Sequence, residues 1–229
     1  MARRSLAAAE LGGVSCPSAL RDPSDPAHGS SASTAAGRWV FAYGSLLWRP
    51  EPGLGPLVVA HLDGYRREFC IYAVKHRGTT TYPGIVLGLV PSPGHCSLQG
   101  AAFFVPDRIW LDVYARLVQR EQAAGAYLES WLRVRLESGG MTDALAFVAD
   151  RSRPTWAGEI DGKTKIDIIS NARGISGSNA EYLFNIENML RRSGIDDSHI
   201  FDLAEKVRGN MQRCPSAVRR ERTSLLGIR

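Results

Sequence analysis

A carboxylate in apolar company is the residue best placed to do chemistry. With residues about 100° apart on a helix, Val113, Tyr114, Leu117 and Glu121 all fall within about 60° of Trp110. Asp112 takes the opposite face. Glu121 therefore points the way the apolar stripe points. One reading is a paired structural acid, or an acid at a helix end where the stripe has reached solvent. The other is a general base lining a cavity, where desolvation lifts a carboxyl pKa towards neutrality and improves it as a proton acceptor. Arg116 and Arg120 fall to one side of the stripe, which makes them poor partners for it.

Tyr43-Gly44-Ser45-Leu46 follows the apolar run from Trp39. Glycine allows a sharp turn and close approach to a ligand. Successive N–H groups in such a turn hold a carboxylate or a developing oxyanion; the same residues also make a plain strand-to-loop turn. A nucleophilic Ser45 would need a paired base, and the histidines at 28, 61, 76, 95 and 199 form no triad motif. Arg77, in His76-Arg77-Gly78, carries a planar fork that suits a carboxylate, or it sits in a solvated loop. Gly174 to Asn179 precedes a helix N-terminus, a natural anion site, but no P-loop lysine is present.

The elements that position these residues read as strands first and helices later. Short apolar runs at 39–43, 57–61, 69–73, 85–90, 100–105 and 144–149 are bounded by turn signals such as Asp63-Gly64 and Pro91-Ser92-Pro93-Gly94. Pro106 and Asp107 open the helix that carries Glu121. Ser178-Asn179-Ala180-Glu181 is a capping box ahead of Leu183, Ile186, Met189 and Leu190, with Gly194 as the stop. Ile200, Leu203, Ala204 and Val207 mark a last helix. Without regular βαβ alternation, the expected class is mixed α+β: a small β-barrel or mixed sheet with packed helices.

Composition narrows the classes of function. Residues 1–37 are rich in Ala, Ser, Gly and Pro and read as a disordered extension. Residues 38–211 read as one domain and 212–229 as a basic tail. From Arg208 onward six arginines face the single acid Glu221, which accounts for the whole net charge of +5. No basic face with stacking aromatics is left for nucleic acid, and no apolar run reaches membrane-spanning length. The four cysteines, Cys16, Cys70, Cys96 and Cys214, show no metal-ligand spacing and read as reduced thiols of a cytoplasmic protein, with Cys70 in the core. Oligomeric state is not written in these patterns.

Six segments in order carry a resemblance. They are Trp39 to Trp48, Arg66 to Cys70, His76-Arg77-Gly78 with Pro83-Gly84, Arg120-Glu121 with Gly125-Ala126-Tyr127, Phe147 to Arg151, and Gly177 to Phe184. Together they resemble the ChaC-like γ-glutamylcyclotransferases over about residues 39–207. The resemblance implies a lyase that cleaves glutathione to 5-oxoproline and cysteinylglycine, with no metal or cofactor. It places the family's catalytic glutamate on Glu121 and its substrate loop on Tyr43, Gly44, Ser45 and Leu46. Arg77, Ser178 and Tyr182 become expected substrate contacts. Two rivals remain: a cyclotransferase for another γ-glutamyl amino acid or amine, and a non-enzymatic accessory protein.

Overall fold

The structure, a computed structural model, describes residues 36–213 apart from Pro93, His95 and Ala124. The proposed extension and basic tail lie almost wholly outside the described residues. Apolar runs broken by turn residues become strands β1 (Gly37–Ala42), β2 (Leu57–Asp63), β3 (Tyr65–Ala73), β4 (Gly84–Pro91) and β5 (Ser97–Pro106). The tight β2–β3 turn works because Gly64 takes a φ of +77°, open to glycine at little cost. Helix α1 (Asp107–Gln122) follows, then the hairpin β6 (Tyr127–Leu136) and β7 (Met141–Ala149). Helix α2 (Gly162–Asn171), the short ladder β8 (Arg173–Gly174) and β9 (Gly177–Ser178), α3 (Asn179–Arg192) and α4 (Ser198–Arg213) complete the described chain.

Strand order is β1-β5-β2-β6-β7, and β7 pairs back to β1. Five strands thus close a barrel whose neighbours are antiparallel except at the parallel β1–β7 seam. Strand β4 joins β7 in parallel, and β3 extends the sheet beyond it. The expected mixed fold with packed helices is what forms. Its core runs through Phe41, Phe69, Leu89, Leu117, Leu145 and Leu183, each buried.

Two elements lacked a clear sequence signal. In β6 the apolar Leu132 and Val134 alternate with Arg133 and Arg135, so the strand has no continuous apolar run. In α2 only Lys165, Ile169 and Ser170 are buried. That helix is set instead by Asp161, whose carboxylate accepts from the N–H groups of Lys163 and Thr164.

Helix α3 starts with the Ser178 half of the capping box, the Glu181 N–H donating to Ser178 Oγ at 3.1 Å. Its first turn also binds the sheet. Asn179 is fully buried, accepts from Ile85 N–H at 2.7 Å and donates to Ile85 O at 2.7 Å. The amide so extends the ladder of β4 and fixes where the next turn of α3 meets that strand. Buried Arg67 ties β3 to the α3–α4 connection, donating to Asp197 at 2.6 Å and to Gln99 O at 2.5 Å.

Candidate active site

Glu121 is the penultimate residue of α1, and its side chain is 15% exposed. Buried Trp110, Val113 and Leu117 hold the same face of the helix against the barrel. The carboxylate reaches a small, deep cavity of about 30 Å³. The cavity wall also holds Tyr43, Gly44, Ser45, Leu46, Tyr127, Phe147 and Tyr182. Ser45, Glu121, Tyr127 and Tyr182 are shared with an outer cavity of about 360 Å³, rimmed by Arg49, His76 and Arg77.

Strand β1 delivers the loop. It runs into Gly44 and a single 3-10 turn, Ser45–Leu47, closed by Leu47 N–H donating to Gly44 O at 3.0 Å. The first N–H groups of a helical turn have no acceptor inside it. Those of Ser45 and Leu46 therefore belong to residues that line the deep cavity.

Three phenols, the buried Tyr43 and Tyr182 and the partly buried Tyr127, surround the carboxylate. Tyr43 donates to Phe147 O at 2.7 Å, and Tyr127 donates to Leu87 O at 2.8 Å. Tyr182 instead accepts from Leu87 N–H at 3.2 Å. Burial, reinforced by the nearby Glu121 charge, pushes all three well above the ordinary phenol range, so they stay neutral.

The expectation that Arg120 lies too far to one side to meet Glu121 is corrected. Its Nε stands 3.3 Å from Glu121 Oε1. An angular count places the Cβ, whereas a guanidinium sits at the end of a long stem and can fold back. The same group donates to Glu51 at 2.8 Å, to Arg49 O at 2.6 Å and to Ser45 Oγ at 3.0 Å. Ser45 Oγ thus accepts from a cation, and among the described residues no hydrogen bond joins it to a base. Burial raises the Glu121 pKa, Arg120 draws it back and Glu51 raises it again, leaving it above the ordinary value.

Arg77 faces the outer cavity from a loop held by close backbone contact. A side chain on Gly78 would collide with the backbone of Gly84, so both positions need glycine. The Arg77 guanidinium donates to Ser178 O at 3.1 Å, stands 3.6 Å from Glu181 and lies over the Tyr182 ring. His76 pairs with Ser176 Oγ at 2.8 Å on the same rim.

Of the expected contacts, Tyr43, Gly44, Ser45, Leu46, Tyr182 and Glu121 meet in the deep cavity, and Arg77 joins at the outer one. Ser178 lines neither: its hydroxyl caps α3 and its carbonyl holds Arg77. Tyr127, Arg120 and Glu51 enter the site without having been singled out for it. Cys70 is buried in the core, where burial pushes its thiol up to about 12. A wider groove of about 1280 Å³ between α2 and α4 mixes acids and bases and shares no residue with either cavity.

Among the described residues, no cluster of His, Cys, Asp or Glu is disposed to hold a metal ion, and no helix is long and apolar enough to cross a membrane.

Comparison with known proteins gives the same picture. A family model described as ChaC-like protein matches residues 38–210. The glutathione-specific γ-glutamylcyclotransferase of Escherichia coli is 31% identical over 74% of this chain and 72% of its own. The enzyme of that name from Schizosaccharomyces pombe is 32% identical over 76% of this chain and 94% of its own. The crystal structure of a yeast γ-glutamyl cyclotransferase specific to glutathione superposes with a TM-score of 0.69 at 22% identity, covering 77% of this chain and 97% of that one.

Proposed function

The chain belongs to the ChaC-like protein family, and from that premise we propose that it is a glutathione-specific γ-glutamylcyclotransferase in which Glu121 moves the proton. The observation that carries the reading is the largely buried carboxylate of Glu121 facing a cavity walled by the Tyr43–Leu46 loop. Catalysis occupies residues 38–211. The reducing glutathione pool of the cytoplasm suits a protein with Cys70 and Cys96 free.

The substrate is an amide of the γ-carboxyl of glutamate, with an α-ammonium that must lose a proton before its nitrogen can attack. Glu121 accepts that proton as a carboxylate with a raised pKa. The amine nitrogen attacks its own γ-carbonyl carbon and closes a five-membered ring. Collapse breaks the old C–N bond, and the departing nitrogen takes up the protons that the attacking one gives away. The products are 5-oxoproline and the amine of cysteinylglycine, and Glu121 ends ionised as it began.

Because the attack is intramolecular, the site's main work is to fold the substrate into an attacking pose. The glutamyl end lies where the outer cavity of about 360 Å³ meets the deep one, against the Ser45, Glu121, Tyr127 and Tyr182 that line both. N–H groups of Gly44, Ser45 and Leu46 hold its charged and developing oxygens. The outer cavity receives the dipeptide, with Arg77 turned to its carboxylate. Tyr182 lines both cavities, while Ser178 acts through Arg77. Arg120 holds Glu121 and the loop in register.

Incubation with glutathione tests the reading, with 5-oxoproline and cysteinylglycine measured as products. A panel of γ-glutamyl amino acids and amines, run alongside, should give slower release for every other member. Tight glutathione binding with no product would overturn the enzymatic reading, and faster release from another member would overturn the substrate.

A further inference from the structure

Resting on that reading, we infer that Tyr182 is a catalytic residue: its phenol donates a hydrogen bond to the γ-carbonyl oxygen as negative charge develops there, completing an oxyanion hole with the backbone of Gly44 and Ser45. Three phenols face the cavity, and two have spent their protons on backbone carbonyls, Tyr43 on Phe147 and Tyr127 on Leu87. Tyr182 uses its oxygen as an acceptor, taking the Leu87 N–H at 3.2 Å. A phenol that accepts a hydrogen bond keeps its own O–H to give.

Position directs that proton. A methyl built on Gly44 would stand 3.8 Å from Tyr182 Oη, with Leu87 Cβ at 3.9 Å. The hydroxyl therefore overlooks the turn whose residues Gly44, Ser45 and Leu46 line the cavity. The ring is braced edge-on by Trp48 and Phe69 and covered by Arg77, so the donor is held before substrate arrives. A donor fixed where charge will appear stabilises the transition state more than the ground state. The O–H polarises the oxyanion without transferring its proton, so the proton balance through Glu121 is unchanged.

Removing the phenol oxygen in Tyr182→Phe should lower kcat about a hundredfold with KM for glutathione changed less than threefold, in a protein whose circular dichroism is intact. Substitution also strips Leu87 N–H of its acceptor, so a second series keeps the oxygen. Fluorotyrosines of graded acidity placed at 182 should move kcat steadily with phenol acidity while the phenol stays protonated. A purely structural Tyr182 would leave kcat flat across that series. A folded Tyr182→Phe with turnover near that of the parent, or a flat fluorotyrosine series, overturns the inference while the cyclotransferase reading stands. Absence of 5-oxoproline from the parent protein with every γ-glutamyl compound overturns the reading itself.

Discussion

Arg120 Nε lies 3.3 Å from Glu121 Oε1, and the same guanidinium grips Glu51 and Ser45. The proposed base therefore sits beside a cation whose charge is already shared. A free neighbouring cation would drag the carboxyl pKa down and spoil it as a proton acceptor. A shared one restrains the side chain while leaving burial to set the basicity.

This balance predicts the acid limb of the pH profile. With Glu121 as the proposed base, turnover needs its carboxylate ionised, so kcat/KM should fall as pH drops through a pKa that burial has raised above the ordinary value. In Arg120→Met the lowering influence is gone and Glu51 is released, so the limb should move to higher pH. Arg120→Lys should lie between. A limb that stays put or moves down in Arg120→Met would show that the pair does not couple.

Glu121→Gln should lose most turnover, about a hundredfold to ten-thousandfold for a positioned acid–base group, and yet gain stability. A carboxyl whose folded pKa is raised above its unfolded value costs stability as pH climbs through that window. Glutamine removes the cost. The variant should melt a few degrees higher at pH 7, at about 2–4 °C per kcal/mol relieved, with the gain shrinking as pH falls and the parent carboxyl takes up its proton. Exposed Asp112→Asn should be neutral in both assays.

Gly44→Ala separates the loop from the fold. The position has a φ of −129°, outside the left-handed region reserved for glycine. A methyl there makes only ordinary contacts, with Tyr182 Oη at 3.8 Å and Leu87 Cβ at 3.9 Å. The protein should still fold and melt cooperatively. The methyl projects into a cavity of about 30 Å³, however. We expect kcat/KM to fall about a hundredfold, as small misplacements of a reacting group do. Steady-state kinetics beside a melting curve checks both halves.

The sequence made Glu121 conspicuous because a helix wheel reports where a Cβ points, and its Cβ points with the apolar stripe. The same wheel misled for Arg120, since four bonds separate its Cβ from the charge. Tyr127 was legible as part of a segment but not as a cavity wall, because β6 has alternating charges and no continuous apolar run. Asn179 looked like part of a capping box; its pairing with Ile85 depends on a contact 94 residues away, which local pattern does not encode. The barrel closure has the same origin. Individual strands follow from apolar runs and turns, whereas the β1–β7 seam joins Trp39 to Ala144.

Thiol chemistry should be irrelevant to turnover. Cys70 is buried with its thiol pushed up to about 12, so little thiolate exists near neutrality. Peptide mapping after brief iodoacetamide treatment of the native protein should find Cys96, which is exposed, alkylated and Cys70 untouched. Cys70→Ala should retain activity and lose about 1 kcal/mol of stability for the atom removed from a packed site. Loss of turnover in a folded Cys70→Ala would return the residue to the chemistry.

The last prediction concerns the helical side that supports the site through α3. Glu187 is buried, accepts from Arg191 at 3.1 Å and is also bonded to Arg208, while those arginines lie over Phe201 and Phe184. Burial pushes this carboxyl upward, but the hydrogen bonds and charges of Arg208 and Arg191 outweigh it and hold the pKa below its ordinary value. A depressed folded pKa adds stability above the unfolded pKa and loses it as pH falls through the folded one. Glu187→Ala should therefore cost about 1–3 kcal/mol at pH 7, the range for a lost buried hydrogen-bonding partner. The gap to the parent should shrink from pH 7 into the acid range, as pH falls through a folded pKa held below the ordinary value. Denaturant unfolding across that range measures it, and a gap that persists in acid would mean that Glu187 contributes packing and not charge. Turnover near the parent's in the folded variant would separate this clamp from the end of α3 proposed to act in catalysis, where Tyr182 stands about one and a half turns away from the acid.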